Sequence, residues 1–190
     1  MSVPATVPPA DEDEEQRRTA AVTLLRARGA QDVPHLGGDL LAHLESTEAL
    51  LRAWGEPDDV ALVGLCHAVY GTAGFDVALA TLDERSVVVA AVGEVVEAEI
   101  YRYAACDRAR VYPQLGAETV TFHDRFDGRE QRATGSDLRT FAAVTIANEA
   151  EIGQQGLFDA AGKEDVAALF ASLEPYAPHL LAPALAVLDG

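Results

Sequence analysis

Two histidines, His43 in LLAHLEST and His67 in LVGLCHAVYGT, lie in consecutive apolar stretches, and each requires a physical reason to be there. A neutral imidazole in an apolar interior must satisfy both ring nitrogens. A metal ion does this for one nitrogen while a carbonyl or carboxylate holds the other. Asp107 closes a third apolar stretch, where the negative end of a helix repels a carboxylate unless a cation compensates it. Together His43, His67 and Asp107 would supply two nitrogens and one oxygen, a set that suits a divalent Zn, Mn or non-haem Fe ion with open coordination positions. The local alternative is a pair of core histidines bonded to backbone, with Asp107 paired to Arg108 or Arg110.

The neighbours of these residues extend the candidate site. Tyr70 and Thr72 flank Gly71, where the chain must turn beside His67, so a phenol and a hydroxyl could be aimed at a reacting group as catalytic residues. His35 precedes the first histidine segment and is a substrate contact or a fourth ligand, or else an exposed loop residue. Arg108 and Arg110 could clamp a carboxylate or phosphate, and Asn148 is a candidate pocket residue. Glu149, Glu151, His123 and His179 read as solvated, Trp54 as a core anchor, and Cys66 and Cys106 as small buried hydrophobes.

Helical elements must carry these groups. Apolar spacing and Gly or Pro punctuation predict helices from about Glu14 to Arg28, Leu40 to Trp54, Pro57 to Tyr70 and Glu94 to Asp107. Further helices are predicted from Asp137 to Gln155 with Ser136 as N-cap, from Lys163 to Leu173 and from Pro175 to Leu188. Pro34 to Gly38 reads as a turn, Phe75 to Leu82 as a short helix or irregular segment, and the four valines within Ser86 to Val92 are ambiguous between helix and strand. Val120, Phe122 and Phe126 alternate ahead of the turn dipeptide Asp127-Gly128, which predicts a small hairpin within Glu118 to Thr134.

Composition bounds the partners. The chain has 190 residues, 49% of them hydrophobic, enough for one packed domain over residues 16–190. Residues 1–15, with three prolines and the run Asp11 to Glu15, read as a disordered acidic tail. A net charge of −17 argues against nucleic acid and against anionic membrane surfaces. No apolar run is long enough to cross a bilayer, and the first ten residues have neither the basic start nor the apolar centre of a secretory signal, so a cytoplasmic protein is expected. The partners expected are a small-molecule substrate or ligand and, through an apolar helical face, a second copy in a homodimer.

The strings HLGGDLLAHLESTEALLRAWG, VALVGLCHAVYGTAGF and YRYAACDRARVYP resemble a small HD-like family marked by an AWG element and an H-x-x-Y-G-T element. The order His, His, Asp is similar to that of the HD superfamily of metal-dependent phosphohydrolases, over about Pro34 to Gln155. The resemblance implies a mainly α, HD-like helical bundle with a small β-hairpin insertion, in which His43, His67 and Asp107 bind a metal. Ala68 stands where the superfamily's paired motif has aspartate, and alanine neither binds metal nor orients water. A mononuclear site is therefore implied, serving hydrolysis of a small molecule. The alternatives are a non-haem iron oxygenase and a non-catalytic small-molecule-binding protein on a degenerate HD fold.

Overall fold

A computed structural model describes residues 10–189 of the chain, which form nine α-helices and two short antiparallel hairpins. The first helix, α1 (Ala10–Ala27), begins within the stretch expected as an acidic tail, while residues 1–9 lie outside the described residues. Acidic residues suit the positive end of a helix, and here they also find cations. Asp13 pairs with Arg17 one turn on at 3.5 Å, and Glu14 with Arg52 at 2.8 Å.

The turn expected at Pro34 to Gly38 is a complete small hairpin of β1 (Pro34–His35) and β2 (Gly38–Asp39), with Pro34 opposite Asp39 and His35 opposite Gly38. Asp39 then caps α2 (Leu40–Ala53) by accepting from the Ala42 amide at 2.9 Å. Helix α3 (Asp58–Cys66) is buried at every position from Val60 to Cys66. It packs against α2 at Gly64, where an added Cβ would fall 2.3 Å from Leu51 Cδ1. Gly64→Ala should therefore overpack this contact and lower stability by about 1–3 kcal/mol, read as a fall in the urea midpoint at unchanged slope.

Helix α3 ends four residues before the expected Tyr70. His67 to Tyr70 are turns, Gly71 takes a positive φ of 69°, and Thr72 exchanges backbone hydrogen bonds with Phe75 at 2.7 and 3.1 Å. The valine-rich segment is helical, α4 (Arg85–Val92), because Val88 and Val92, one turn apart, are both fully buried. Gly93 breaks it from α5 (Glu94–Ala105), which is followed by the short α6 (Arg108–Val111).

The second hairpin joins β3 (Val120–His123) to β4 (Glu130–Ala133), with Val120 opposite Ala133 and Phe122 opposite Gln131. Helix α7 (Gly135–Gln154) follows, started by a capping box of Thr134 and Asp137 rather than by Ser136. It is the hub of the core, packed against α2, α3, α5 and the two last helices, α8 (Ala160–Leu173) and α9 (Leu181–Asp189). Trp54 packs partly buried against this core. The fold is mainly helical, and no described helix is long and apolar enough to cross a membrane.

Candidate functional site

The C-terminal end of α3 with the turn that follows it, the start of α6 and α7 meet the β1–β2 hairpin around an open cavity of about 550 Å³. His35, His67, Thr72, Arg108, Asn148 and Glu149 supply its polar lining, and Leu36, Phe75 and Ile152 are among its apolar walls. The six polar groups arrive on five different local structures. His35 comes from the hairpin, His67 from the residue that closes α3, Thr72 from the turn after Gly71, Arg108 from the start of α6, and Asn148 and Glu149 from α7.

His67 donates from Nδ1 to the Gly64 carbonyl at 2.7 Å, which fixes its tautomer and leaves the Nε2 lone pair without a protein partner among the described residues. Burial, then the proximity of His43, lower its pKa to about 3. The ring is therefore neutral in the folded protein, while in the unfolded chain it takes up a proton near pH 6.5. Stability attributable to His67 should be complete above pH 6.5 and lost as pH falls from there toward about 3, with a slope approaching one proton. Comparing urea midpoints of the wild type and His67→Gln across this window isolates that slope, which the variant should lack.

His43 is buried behind the cavity wall. Its Nδ1 lies 2.6 Å from Glu151 Oε2, and its Nε2 lies 3.0 Å from Asn148 Oδ1. His35 stacks on it with ring centroids 4.2 Å apart at 22°, and His67 meets it edge-on at 5.3 Å. Burial is the main reason that the His35 pKa is lowered.

Arg108 is the cavity's guanidinium; among the described residues it has no carboxylate within ion-pair distance, and its Nε is buried with no hydrogen bond. Its Nη2 donates to the Tyr103 hydroxyl at 3.1 Å, and it lies 5.4 and 5.9 Å from the Tyr103 and Tyr112 ring centres. The Tyr112 hydroxyl is likewise buried without a partner. Arg85, at a second cavity of about 340 Å³ beside α5, is compensated by Glu97 through two bonds of 2.7 Å. Arg108 has no carboxylate bonded in this way among the described residues, and Glu149 acts on it only through space. Burial raises the Glu149 carboxyl above the usual carboxylate range, with Arg108 and the Asn148 amide opposing it.

The expected ligand set of His43, His67 and Asp107 is not assembled. Asp107 does not sit at the end of α5, which stops at Ala105, but at the start of α6, where it accepts from the Arg110 amide at 3.3 Å. The dipole that would have repelled it there favours it instead. Protein groups hold both nitrogens of His43, and the lone pairs of rings stacked face to face, as in His35 and His43, do not converge on one point. Among the described residues no three His, Cys, Asp or Glu side chains are placed to hold a metal ion. With Ala68 in the wall besides, the residues present do not fit the Fe, Mn or Zn centre that the resemblance implies.

Of the other expected residues, Thr72 lines the cavity, whereas Tyr70 turns away and donates to Glu97 at 2.8 Å. Arg110 reaches Glu130 at 3.5 Å on the surface. His123, expected as solvated, has a largely buried side chain 3.1 Å from Glu130, whereas His179, exposed as expected, pairs with the buried Glu56. Cys66 and Cys106 are buried, and burial pushes both thiols up to about 12. Glu149 and Glu151 are the residues that sequence reading misplaced. Glu151 is buried and Glu149 faces the cavity. The usable signal was spacing: Glu151 follows the buried Ala147 and Val144 by four and seven positions, on the inward stripe of α7.

Residues 24–108 match a family model described as Domain of unknown function (DUF6817). The match runs from within α1 to the first residue of α6, so it contains His35, His43, His67, Thr72 and Arg108. It stops short of α7, which contributes Asn148 and Glu149. No curated protein and no solved structure matches the chain.

Proposed function

We propose that the protein binds a small anionic molecule in the cavity between the end of α3, the start of α6, α7 and the β1–β2 hairpin, with Arg108 as the anchor of the anion. The observation that carries this reading is a largely buried guanidinium on the cavity lining, with an unpartnered Nε and no carboxylate within ion-pair distance among the described residues. A buried charge without a partner costs several kcal/mol, about as much as a good ligand contact returns. Such a charge is retained where a ligand completes it.

Recognition fits this site better than conversion. His67, held near a pKa of about 3, is a poor proton acceptor at neutral pH, both thiols are protonated and enclosed, and Tyr70 is bonded elsewhere. This favours the small-molecule-binding alternative on a degenerate HD-like fold over metal-dependent hydrolysis. In support of the HD-like assignment itself, consecutive helices α2 and α3 deliver His43 and His67 into contact.

Calorimetric titration at low ionic strength with phenylacetate and phenyl phosphate tests the reading. At least one should bind the wild type, and Arg108→Met should remove that binding. Absence of both from the wild type, or equal binding to Arg108→Met, would reject it.

A further inference from the structure

We infer that the ligand is a monocarboxylate carrying a hydroxyl or amine close to the carboxylate, rather than a phosphate. This inference rests on the anion-binding reading and adds the chemical class of the ligand.

Charge excludes the dianion. Arg108 is the one lysine or arginine among the described residues that line the cavity, and Glu149 shares the wall. A carboxylate on Arg108 leaves the guanidinium neutralised. A phosphate dianion would leave a second negative charge in a partly enclosed space that already holds a carboxyl group, with no other cation to meet it. One guanidinium also matches the two oxygens of one carboxylate in bidentate geometry.

Donor and acceptor counting requires the second group. The Gly64 carbonyl can only accept, so the bond of 2.7 Å from His67 Nδ1 places the ring hydrogen there and leaves Nε2 as an acceptor. Glu149, on the same lining, has its Oε1 bonded by Asn148 Nδ2 at 3.1 Å. A carboxylate alone offers only acceptors to the Nε2 lone pair of His67 and would leave it unpaired on closing off water. A ligand bearing an O–H or N–H donor satisfies His67 while its acid engages Arg108. Thr72 contributes a hydroxyl that can donate to the acid, since its oxygen already accepts from the Gly74 amide at 3.4 Å. The apolar walls at Leu36, Phe75 and Ile152 accommodate a hydrocarbon body.

Titration of the full-length protein with mandelate, phenylacetate and phenyl phosphate separates these cases, because the three share one ring and differ in acid and donor. Mandelate should bind at least tenfold tighter than phenylacetate and tighter than phenyl phosphate. In His67→Phe the advantage of mandelate over phenylacetate should fall to threefold or less. Equal affinities of the two carboxylates for the wild type, or an advantage that His67→Phe leaves intact, would overturn the donor requirement. Phenyl phosphate binding tightest, and through Arg108, would overturn the carboxylate assignment while leaving the anion site standing. No binding of any of the three that depends on Arg108 would remove both.

Discussion

Replacing Arg108 by methionine is expected to stabilise the folded protein while abolishing its affinity for small anions. Methionine fills a similar volume and needs no counter-charge. It gives up one hydrogen bond to Tyr103 and two cation–π interactions near the outer limit of their range, together about 1–2 kcal/mol. The cost removed is that of an enclosed guanidinium with an unbonded Nε and no paired carboxylate, several kcal/mol even after partial hydration from the cavity. The difference favours methionine by about 1–3 kcal/mol, which for a domain of this size raises Tm by about 2–10 °C. Binding should move the other way, by about 100-fold, the equivalent of one charge-assisted contact. A structural arginine would give the opposite pattern, a lowered Tm with binding unaffected, and that result would overturn the assignment of Arg108. Opposed changes in stability and affinity mark a residue kept for its ligand.

Most of the helical frame was legible in the sequence because its punctuation is local. Gly29, Gly55, Gly71 and Gly93 all take positive φ where helices were expected to stop or break, whereas α7 is capped by Thr134 two residues before the expected Ser136. What was not legible depended on which face or which end a polar residue occupies. Asp107 reads equally well as the last residue of α5 or as the cap of α6, and the two placements have opposite electrostatic consequences. Glu151 carries the same charge as any surface glutamate, and only a buried imidazole 108 positions away gives it a reason to point inward. The β1–β2 hairpin has only two residues in each strand, too few for alternation to register, yet it brings His35 onto the ring of His43. The site therefore joins two kinds of information: the segment from α1 to the start of α6 contributes the imidazoles and the guanidinium, and α7 contributes the groups that hold His43.

The second large effect is expected behind the cavity wall. Glu151→Ala should destabilise the protein by about 3 kcal/mol and lower Tm by about 6–12 °C. The substitution removes the acceptor of His43 Nδ1 at 2.6 Å and of Gln155 Nε2 at 2.6 Å, and it leaves a fully enclosed imidazole with a donor that nothing receives. Losing one partner of a buried pair costs more than never having the pair, because the survivor keeps its desolvation penalty. The double substitution His43→Phe, Glu151→Leu should consequently recover at least half of the loss, since an aromatic ring of similar shape then packs against an apolar side chain. Thermal unfolding of the two single variants and the double variant measures this coupling directly. Glu151→Ala within about 0.5 kcal/mol of wild type would show that the bond from His43 contributes little. A loss near 3 kcal/mol with recovery in the double variant would identify His43 as a buried strut that fixes Asn148 and the stacked ring of His35 at the cavity, a role that leaves neither of its nitrogens free for a metal ion.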